Sequence, residues 1–169
     1  FYFNSLFVSE NIRACVNSDN GEYIPIFLSE ISRLFEKGIL AIDVALIHIS
    51  PPDKHGYCSL GTSVDVAKSA VKHAKKIIAQ VNPNMPRTHG DGFIHINKLD
   101  AMVETKDTLP QINYGARISE SDRIIGQKVA ELVEDRSTLQ MGIGAIPDAV
   151  LQSLGHCKDL GVHTEMFSD

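Results

Sequence analysis

The sequence contains no tryptophan, few aromatic residues and only three cysteines. Cys15, Cys58 and Cys157 are odd in number and far apart along the chain, which is not the pattern of a disulfide-stapled secreted domain. We therefore expect reduced thiols in an intracellular protein. No apolar run approaches the roughly 18 residues that a membrane-spanning helix needs, so we expect no membrane partner.

Positive charge is also scarce, since 21 acidic residues outnumber 16 basic ones and the net charge is -5. The basic footprint of nucleic-acid binding is therefore missing at the level of the whole chain, and we expect no nucleic-acid partner. One dense group of cations stands out, and its spacing is typical of the solvated face of a helix: Lys68, Lys72, Lys75 and Lys76.

The chain lacks an initiator methionine, and its first residues do not form the basic start of a signal peptide. We expect further residues upstream, and the absence of a tail after Phe167 leads us to expect a cut at that end too. The composition is that of an ordinary globular protein, with 43% hydrophobic and 22% charged residues. The 169 residues can hold one large domain or two small ones.

Two almost continuously apolar segments, residues 42–49 and 76–81, are predicted as buried strands. Residues 62–75 between them have an apolar face at helical spacing. Strand, helix and strand then form a βαβ unit, so a parallel sheet is expected. Shorter elements are predicted around this unit, namely a strand at 23–28, a helix at 29–37, a loop at 50–56 and a strand at 93–96.

A second α/β unit is predicted after a connector at residues 110–116, which divides the chain into domains 1–115 and 116–169. Ser119 is expected to cap a helix at 119–134, with one apolar stripe made of Ile125, Val129, Leu132 and Val133. The remaining elements are a strand at 138–141, a helix at 147–154 that starts with Pro147, and a strand at 160–164.

A glycine-rich turn, Gly142-Ile143-Gly144, joins the strand at 138–141 to the helix after it. Glycines let the backbone approach a ligand closely, and a helix N-terminus offers free N–H groups to an anion. Glu165, after the last strand, lies near the position of the ribose-binding acid in a dinucleotide site, but Pro147 replaces the third glycine of that fingerprint. On the residues alone, a dinucleotide site and a tight turn without a ligand both stay open.

Two longer runs in this region, residues 142–151 and 158–169, resemble the catalytic segment of the acetyl-CoA hydrolase/transferase family, which includes 4-hydroxybutyrate and butyrate:acetate CoA-transferases. Residues 27–31, 50–61 and 81–90 are similar to other segments of that family, in the same order. The resemblance covers essentially the whole chain. Because members of the family are much longer, it identifies the chain as an internal fragment from the middle of such a protein.

The resemblance implies an α/β fold of the family I CoA-transferase type, with open parallel sheets flanked by helices, the end of one domain and the start of a second. It also implies that Glu165 is the nucleophile of an acyl-CoA:carboxylate CoA-transferase that forms a glutamyl-CoA thioester. The turn is expected to lie against CoA or the acyl group, through Gly142, Ile143, Gly144, Ala145, Ile146 and Pro147. Oxyanion donors and many CoA contacts are expected from the C-terminal part of the family's proteins, so we do not expect residues 1–169 alone to turn over substrate.

The substrates that the resemblance implies are acyl-CoA and small carboxylic acids, with no tightly bound cofactor. It further implies a homo-oligomer when full-length, and a mitochondrial location in a eukaryote or a cytoplasmic one in a bacterium. Three alternatives stay open: an acetyl-CoA hydrolase of the same family, an NAD-linked oxidoreductase, and a non-catalytic effector-binding module on a related α/β fold.

Other polar residues carry weaker signals. The spacing of His55, Cys58, His89 and His95 matches no standard zinc pattern, so no metal is expected. Arg87 and His89 are candidates for orienting a carboxylate or a phosphate. The family resemblance also leads us to expect that the loop at 50–61 borders the active site.

Overall fold

The computed structural model describes residues 1–111 and 117–166, and the chain divides into two units that each contain helices and strands. The first unit, Phe1–Leu109, contains in chain order β1 (Phe3–Ser5), α1 (Arg13–Val16), β2 (Gly21–Tyr23), α2 (Leu28–Glu36), β3 (Val44–Ile49), β4 (Tyr57–Ser59), α3 (Asp65–His73), β5 (Lys76–Val81), β6 (Phe93–His95), a 3-10 turn (Ile96–Lys98) and β7 (Ala101–Glu104). The second unit, Pro110–Asp169, contains α4 (Glu120–Ala130), β8 (Thr138–Leu139), α5 (Ala145–Ser153) and β9 (Gly161–Val162).

The predicted α/β class is confirmed. Within the described ranges, no helix is long and apolar enough to cross a membrane. The predicted connector at 110–116 lies mostly outside the described residues, as do residues 167–169 at the end of the family-like run. The assignment of 1–115 and 116–169 to separate domains of a transferase stays a prediction.

A parallel sheet with the strand order β3-β5-β7 forms the centre of the first unit. β3 and β5 pair from Val44↔Lys76 to Ile49↔Val81, and α3 is the crossover between them, so the predicted βαβ unit is confirmed. One face of the sheet is buried against α3, where Ala70 and Val71 pack on the core. The buried residues are Ala45, Ile47, Ile49, Cys58, Leu60, Ile77, Ala79, Val81 and Ile94.

Several of the short strands depart from the prediction at least in part. The strand predicted at 23–28 is wrong, because β2 ends at Tyr23 and α2 already begins at Leu28. β6 is confirmed as a strand, but it pairs antiparallel with β4, outside the parallel sheet. β4 itself was not predicted, and neither was β7, whose four residues are all exposed. Strands of three or four residues are too short to show a hydrophobic period, so pairing with a neighbour decides them.

The second unit repeats the strand–helix–strand pattern on a smaller scale. β8 and β9 pair in parallel, Thr138↔Gly161 and Leu139↔Val162, with α5 as the crossover. The predicted cap of α4 is confirmed, because the Ser119 hydroxyl accepts the N–H of Asp122 at 3.2 Å and the Ser119 N–H donates to the Asp122 carboxylate at 2.8 Å.

The start of α5 is a correction. The helix begins at Ala145, not at Pro147, which lies in its first turn. Proline is tolerated there because the first N–H groups of a helix have no acceptor within it.

Close packing between α4 and α5 holds the second unit together. Gly126 and Ala130 of α4 are buried, and Gly126 lies against Ala149 of α5, which is 3% exposed. The expectation of one apolar stripe along a helix at 119–134 is wrong, since Ile125 and Val129 are 41% and 39% exposed. Leu132, which is 82% exposed, lies beyond the end of α4 at Ala130. The backbones approach so closely at Gly126 that only the small-residue face fits.

Gly126→Ala is expected to destabilise the second unit. An added Cβ would lie 2.6 Å from the backbone carbon and oxygen of Ala149. Forcing an extra carbon into packed space costs about 1–3 kcal/mol, which exceeds the roughly 1 kcal/mol that alanine gains over glycine in a helix. Urea unfolding followed by circular dichroism measures the difference.

Gly155→Ala is the matched control, because a Cβ at Gly155 has nothing within 4 Å. Equal midpoints for the two variants would contradict the close approach of α4 and α5.

Candidate functional site

The glycine-rich turn and Glu165 lie at the same edge of the small parallel sheet. The turn follows β8, Glu165 follows β9, and parallel pairing brings the carboxyl ends of the two strands together. In open α/β sheets this edge is where ligands bind. Pairing of β8 with β9 therefore brings the predicted site residues to one edge of the sheet.

Thr164 links the ends of the two strands by hydrogen bonds. Its hydroxyl accepts the backbone N–H of Met141 at 3.1 Å and donates to the carbonyl of the same residue at 2.8 Å. One position earlier, the N–H of His163 donates to the carbonyl of Leu139 at 2.9 Å. Gly142 directly follows Met141, and Glu165 directly follows Thr164, so this pair of hydrogen bonds sets the start of the turn beside the acid.

The turn has a backbone conformation that requires glycine. Gly144 has φ 117° and ψ -173° and occupies the N-cap position of α5, which no side chain caps. This region of φ/ψ space is essentially restricted to glycine. The N–H of Asp148 donates to the Gly144 carbonyl at 3.2 Å, whereas the N–H groups of Ala145 and Ile146 precede any acceptor of the helix. The N-terminus of α5 therefore directs amide donors and the positive end of its dipole toward the turn.

Exposed apolar side chains accompany the acid. Glu165 is itself exposed. Ile143 in the turn is 55% exposed, Ile146 in the first turn of α5 is 44%, and Met166 beside Glu165 is 49%. An accessible carboxylate, backbone amide donors and apolar surface are the chemical features that a nucleophile acting on an acyl thioester needs.

Sequence reasoning did not identify Thr164 as a functional residue. The signal was present, because threonine hydroxyls commonly bond nearby backbone groups and this one immediately precedes the candidate acid. What the sequence could not show was the partner, Met141, which lies 23 residues away and is brought near only by the pairing of β8 with β9.

In the first unit, Asp53 and Arg87 form a clamp within the family-like segments. One oxygen of Asp53 accepts the N–H groups of His55 and Tyr57 at 2.8 and 2.9 Å, and the other accepts Nη2 of Arg87 at 2.7 Å. Nη1 of Arg87 donates to the Tyr57 carbonyl at 2.9 Å, and the guanidinium carbon lies 4.8 Å from the centre of the Phe93 ring. Arg87, predicted to orient a ligand, is therefore engaged with the protein's own carboxylate.

The clamp also has an electrostatic consequence. The N–H of Tyr57, followed by the N–H of His55 and the charge of Arg87, holds the pKa of Asp53 below its ordinary value. These contacts favour the ionised carboxylate because each stabilises its negative charge.

The histidines and Cys58 have structural surroundings. Cys58 is 0% exposed in the core, and burial raises the pKa of its thiol. Nε2 of His95 lies 3.0 Å from the carbonyl oxygen of His55, and Nδ1 of His95 accepts the N–H of Asn97 at 3.2 Å. His89 meets the Phe93 ring edge-on at 5.9 Å. Over residues 1–111 and 117–166, no group of three or more His, Cys, Asp or Glu residues is placed to hold a metal ion.

Acidic partners accompany three of the four clustered lysines. Lys68 pairs with Asp91, Lys75 with Asp43 at 2.7 Å, and Lys76 with Asp100 at 2.7 Å. These ion pairs are exposed, which agrees with a solvated surface and gives each pair little weight in stability.

Comparisons with known proteins bear on this geometry. The family model described as the acetyl-CoA hydrolase/transferase N-terminal domain matches residues 1–112. The whole chain is 48% identical to the 4-hydroxybutyrate coenzyme A transferase of Clostridium kluyveri, of which it covers 39%. It is 50% identical to the succinyl-CoA:acetate/propanoyl-CoA:succinate CoA transferase of Fasciola hepatica, with all of this chain and 35% of that protein aligned.

A solved structure is similar as well. The 4-hydroxybutyrate CoA-transferase from Porphyromonas gingivalis matches with a TM-score of 0.81 and 38% sequence identity, over 99% of this chain and 43% of that one. The chain thus spans less than half the length of the relatives that it matches.

Gly144→Ala is expected to destabilise the turn by about 1–3 kcal/mol, because the backbone conformation is unfavourable for any residue with a side chain. Steric overlap is not the cause, since a Cβ at Gly144 has nothing within 4 Å. The matched control is Gly142→Ala, whose φ lies outside the left-handed region and whose Cβ would lie 3.8 Å from Cγ of Pro147, an ordinary contact. Chemical denaturation of both variants should separate them, and equal losses would argue against a strained turn.

The Asp53 clamp predicts a pH dependence. Because the pKa of folded Asp53 is below its ordinary value of 3.8, its stabilisation is present above that value and is lost as the pH falls through the folded pKa. Wild type should therefore melt at a higher temperature than Asp53→Asn at neutral pH, and the gap should close in acid. Arg87→Ala leaves both amide contacts in place and should keep part of the dependence. A gap that is constant with pH would count against the clamp.

Proposed function

The chain belongs to the acetyl-CoA hydrolase/transferase family, and on this premise we propose that the full-length protein is an acyl-CoA:carboxylate CoA-transferase with Glu165 as its nucleophile. The observation that carries the proposal is the position of Glu165. It is exposed at the carboxyl edge of β8 and β9, directly after Thr164, which is hydrogen-bonded to the start of the glycine-rich turn. The relatives named above are CoA transferases, which supports the same reaction class.

In the proposed reaction, a carboxylate oxygen of Glu165 attacks the thioester carbonyl of an acyl-CoA. The carbon–sulfur bond breaks, CoA leaves as a thiolate, and an acyl-glutamyl anhydride remains. The thiolate then attacks the glutamyl carbonyl, which releases the acyl group as a free carboxylate and leaves a glutamyl-CoA thioester. An incoming carboxylate reverses these two steps and leaves as the new acyl-CoA. Covalent catalysis of this kind divides one difficult exchange into easier steps.

We assign the turn to binding CoA or the acyl group. Gly142 lets the backbone approach a ligand closely, and the amides of Ala145 and Ile146 are donors suited to negative charge that develops on an oxygen. Ile143 and Ile146 supply exposed apolar surface. The proposed binding set is Gly142, Ile143, Gly144, Ala145, Ile146 and Pro147.

The wider setting is part of the same proposal. We propose that residues 1–115 belong to the N-terminal α/β domain of the transferase and that residues 116–169 begin a second α/β domain with the nucleophile. Small carboxylic acids such as acetate would be the acceptors, and the protein would act inside the cell as a homo-oligomer. The three free thiols, Cys15, Cys58 and Cys157, agree with a reducing compartment.

Mass spectrometry of the full-length protein tests the nucleophile. After incubation with acetyl-CoA or butyryl-CoA and rapid digestion, the peptide that contains Glu165 should carry CoA. The adduct should be absent from Glu165→Ala. Glu134→Ala, which removes another exposed glutamate of the second unit, is the matched control and should keep the adduct.

The other outcomes are informative. Acyl exchange without any adduct would show that Glu165 is not the nucleophile. CoA binding without turnover would favour a non-catalytic effector-binding module. Release of free CoA in the absence of an acceptor acid, with the adduct formed, would identify water as the acceptor and the protein as a hydrolase of the same family.

A further inference from the structure

We infer that Thr164 is a positioning residue for the nucleophile, and that its hydroxyl sets the distance between Glu165 and the glycine-rich turn. The inference rests on the proposed function, because it assigns Thr164 a role only if Glu165 reacts. The contact that supports the inference is seen in this structure and does not depend on similarity to other proteins. One hydroxyl both accepts the N–H and donates to the carbonyl of Met141, at 3.1 and 2.8 Å.

The carboxylate of Glu165 depends on the backbone for its position. Within residues 1–111 and 117–166, its side chain has no hydrogen bond or ion pair. Its location is therefore determined by the backbone to which it is attached. The residue on the N-terminal side of Glu165 is Thr164.

Strand pairing alone does not reach the acid. The ladder between β8 and β9 has two positions, Thr138↔Gly161 and Leu139↔Val162, and the N–H of His163 extends it by one bond to Leu139. Beyond His163, the Thr164 hydroxyl continues the connection between the two strand ends. Without it, the segment from Thr164 to Glu165 would lose its two hydrogen bonds to Met141, the residue before the turn.

The two hydrogen bonds between Thr164 and Met141 affect the acid and the turn together. They fix the residue before Glu165 and also both backbone groups of Met141, the residue before Gly142. A displacement of about 1 Å at a reacting group can lower a rate on the order of 100-fold. The hydroxyl should therefore affect the chemical step more than the binding of CoA, because its one proton is already donated to the Met141 carbonyl.

Both hydrogen bonds to Met141 need a side-chain atom that can donate and accept at once, as a hydroxyl oxygen does. Conservative variants of Thr164 can therefore separate the effect of the hydroxyl from the effect of side-chain shape. Thr164→Val keeps the branched shape and removes both hydrogen bonds. Thr164→Ser keeps the hydroxyl but loses the methyl group that restricts the side-chain rotamer. Thr138→Val is the matched control, since Thr138 lies on β8 and its hydroxyl has no hydrogen bond in the described part of the chain.

The experiment measures kcat, KM for acyl-CoA and the single-turnover rate of CoA attachment to Glu165, all in the full-length protein and per folded molecule. For Thr164→Val, we expect kcat and the attachment rate to fall by about 10- to 100-fold with KM changed less than about threefold. Thr164→Ser should recover to within about threefold of wild type, and Thr138→Val should match wild type. If Thr164→Val does not fold, Thr164→Ala replaces it in the comparison with Thr164→Ser.

Three results would overturn the inference, and they are distinguishable. A wild-type attachment rate in Thr164→Val, with the adduct on Glu165, would remove the role of Thr164 and leave the proposed function intact. No adduct on Glu165 in the wild type would end both. Parallel losses in Thr164→Val and Thr164→Ser would also overturn it, because the hydroxyl would then not be the group that matters.

Discussion

The parallel pairing of β8 with β9 is the constraint on which the proposed site depends. It brings two segments that are distant in sequence to one edge, the turn after β8 and the acid after β9. The pairing is short, with two ladder positions, so the bonds of His163 and Thr164 beyond it have a large share in holding that edge. A site built this way is sensitive to the geometry of a few hydrogen bonds.

Packing between α5 and α4 supports the same edge. α5 starts in the glycine-rich turn, and its middle is buried against α4 through Ala149 and Gly126. Because a helix is nearly rigid, the depth of that contact also sets where its N-terminus lies. The first-turn amides of Ala145 and Ile146 are therefore placed by a contact one turn away, and a packing change at Gly126 would be transmitted to the turn.

The first unit shows how its family-like segments support each other. Residues 50–61 and 81–90 are far apart in sequence but are joined by the ion pair of Asp53 with Arg87 and by the hydroxyl of Ser59, which accepts the N–H groups of Gly61 and Thr88 at 3.0 and 3.2 Å. Ser59 is 0% exposed, so leaving its hydroxyl without a partner would be costly. The segment at 50–61, expected to be a loop, thus contributes β4 and part of the core.

The sequence by itself determined the α/β class, the βαβ unit of β3, α3 and β5, the cap at Ser119 and the identity of the candidate acid. These features depend on local propensities, on the period of apolar residues and on long runs similar to a known family, all of which can be read from the sequence without a structure.

The tertiary structure alone decided the rest. Short strands such as β4 and β7 exist only because a neighbour pairs with them. The small-residue face of α4 is the packed one because backbone approach at Gly126 excludes large side chains. Arg87 pairs with Asp53, its Nη2 lying 2.7 Å from a carboxylate oxygen, because the fold brings residues 53 and 87 together. The partner of Thr164 could not be found from the sequence, since a hydrogen bond across 23 residues depends on distances that only the folded chain sets.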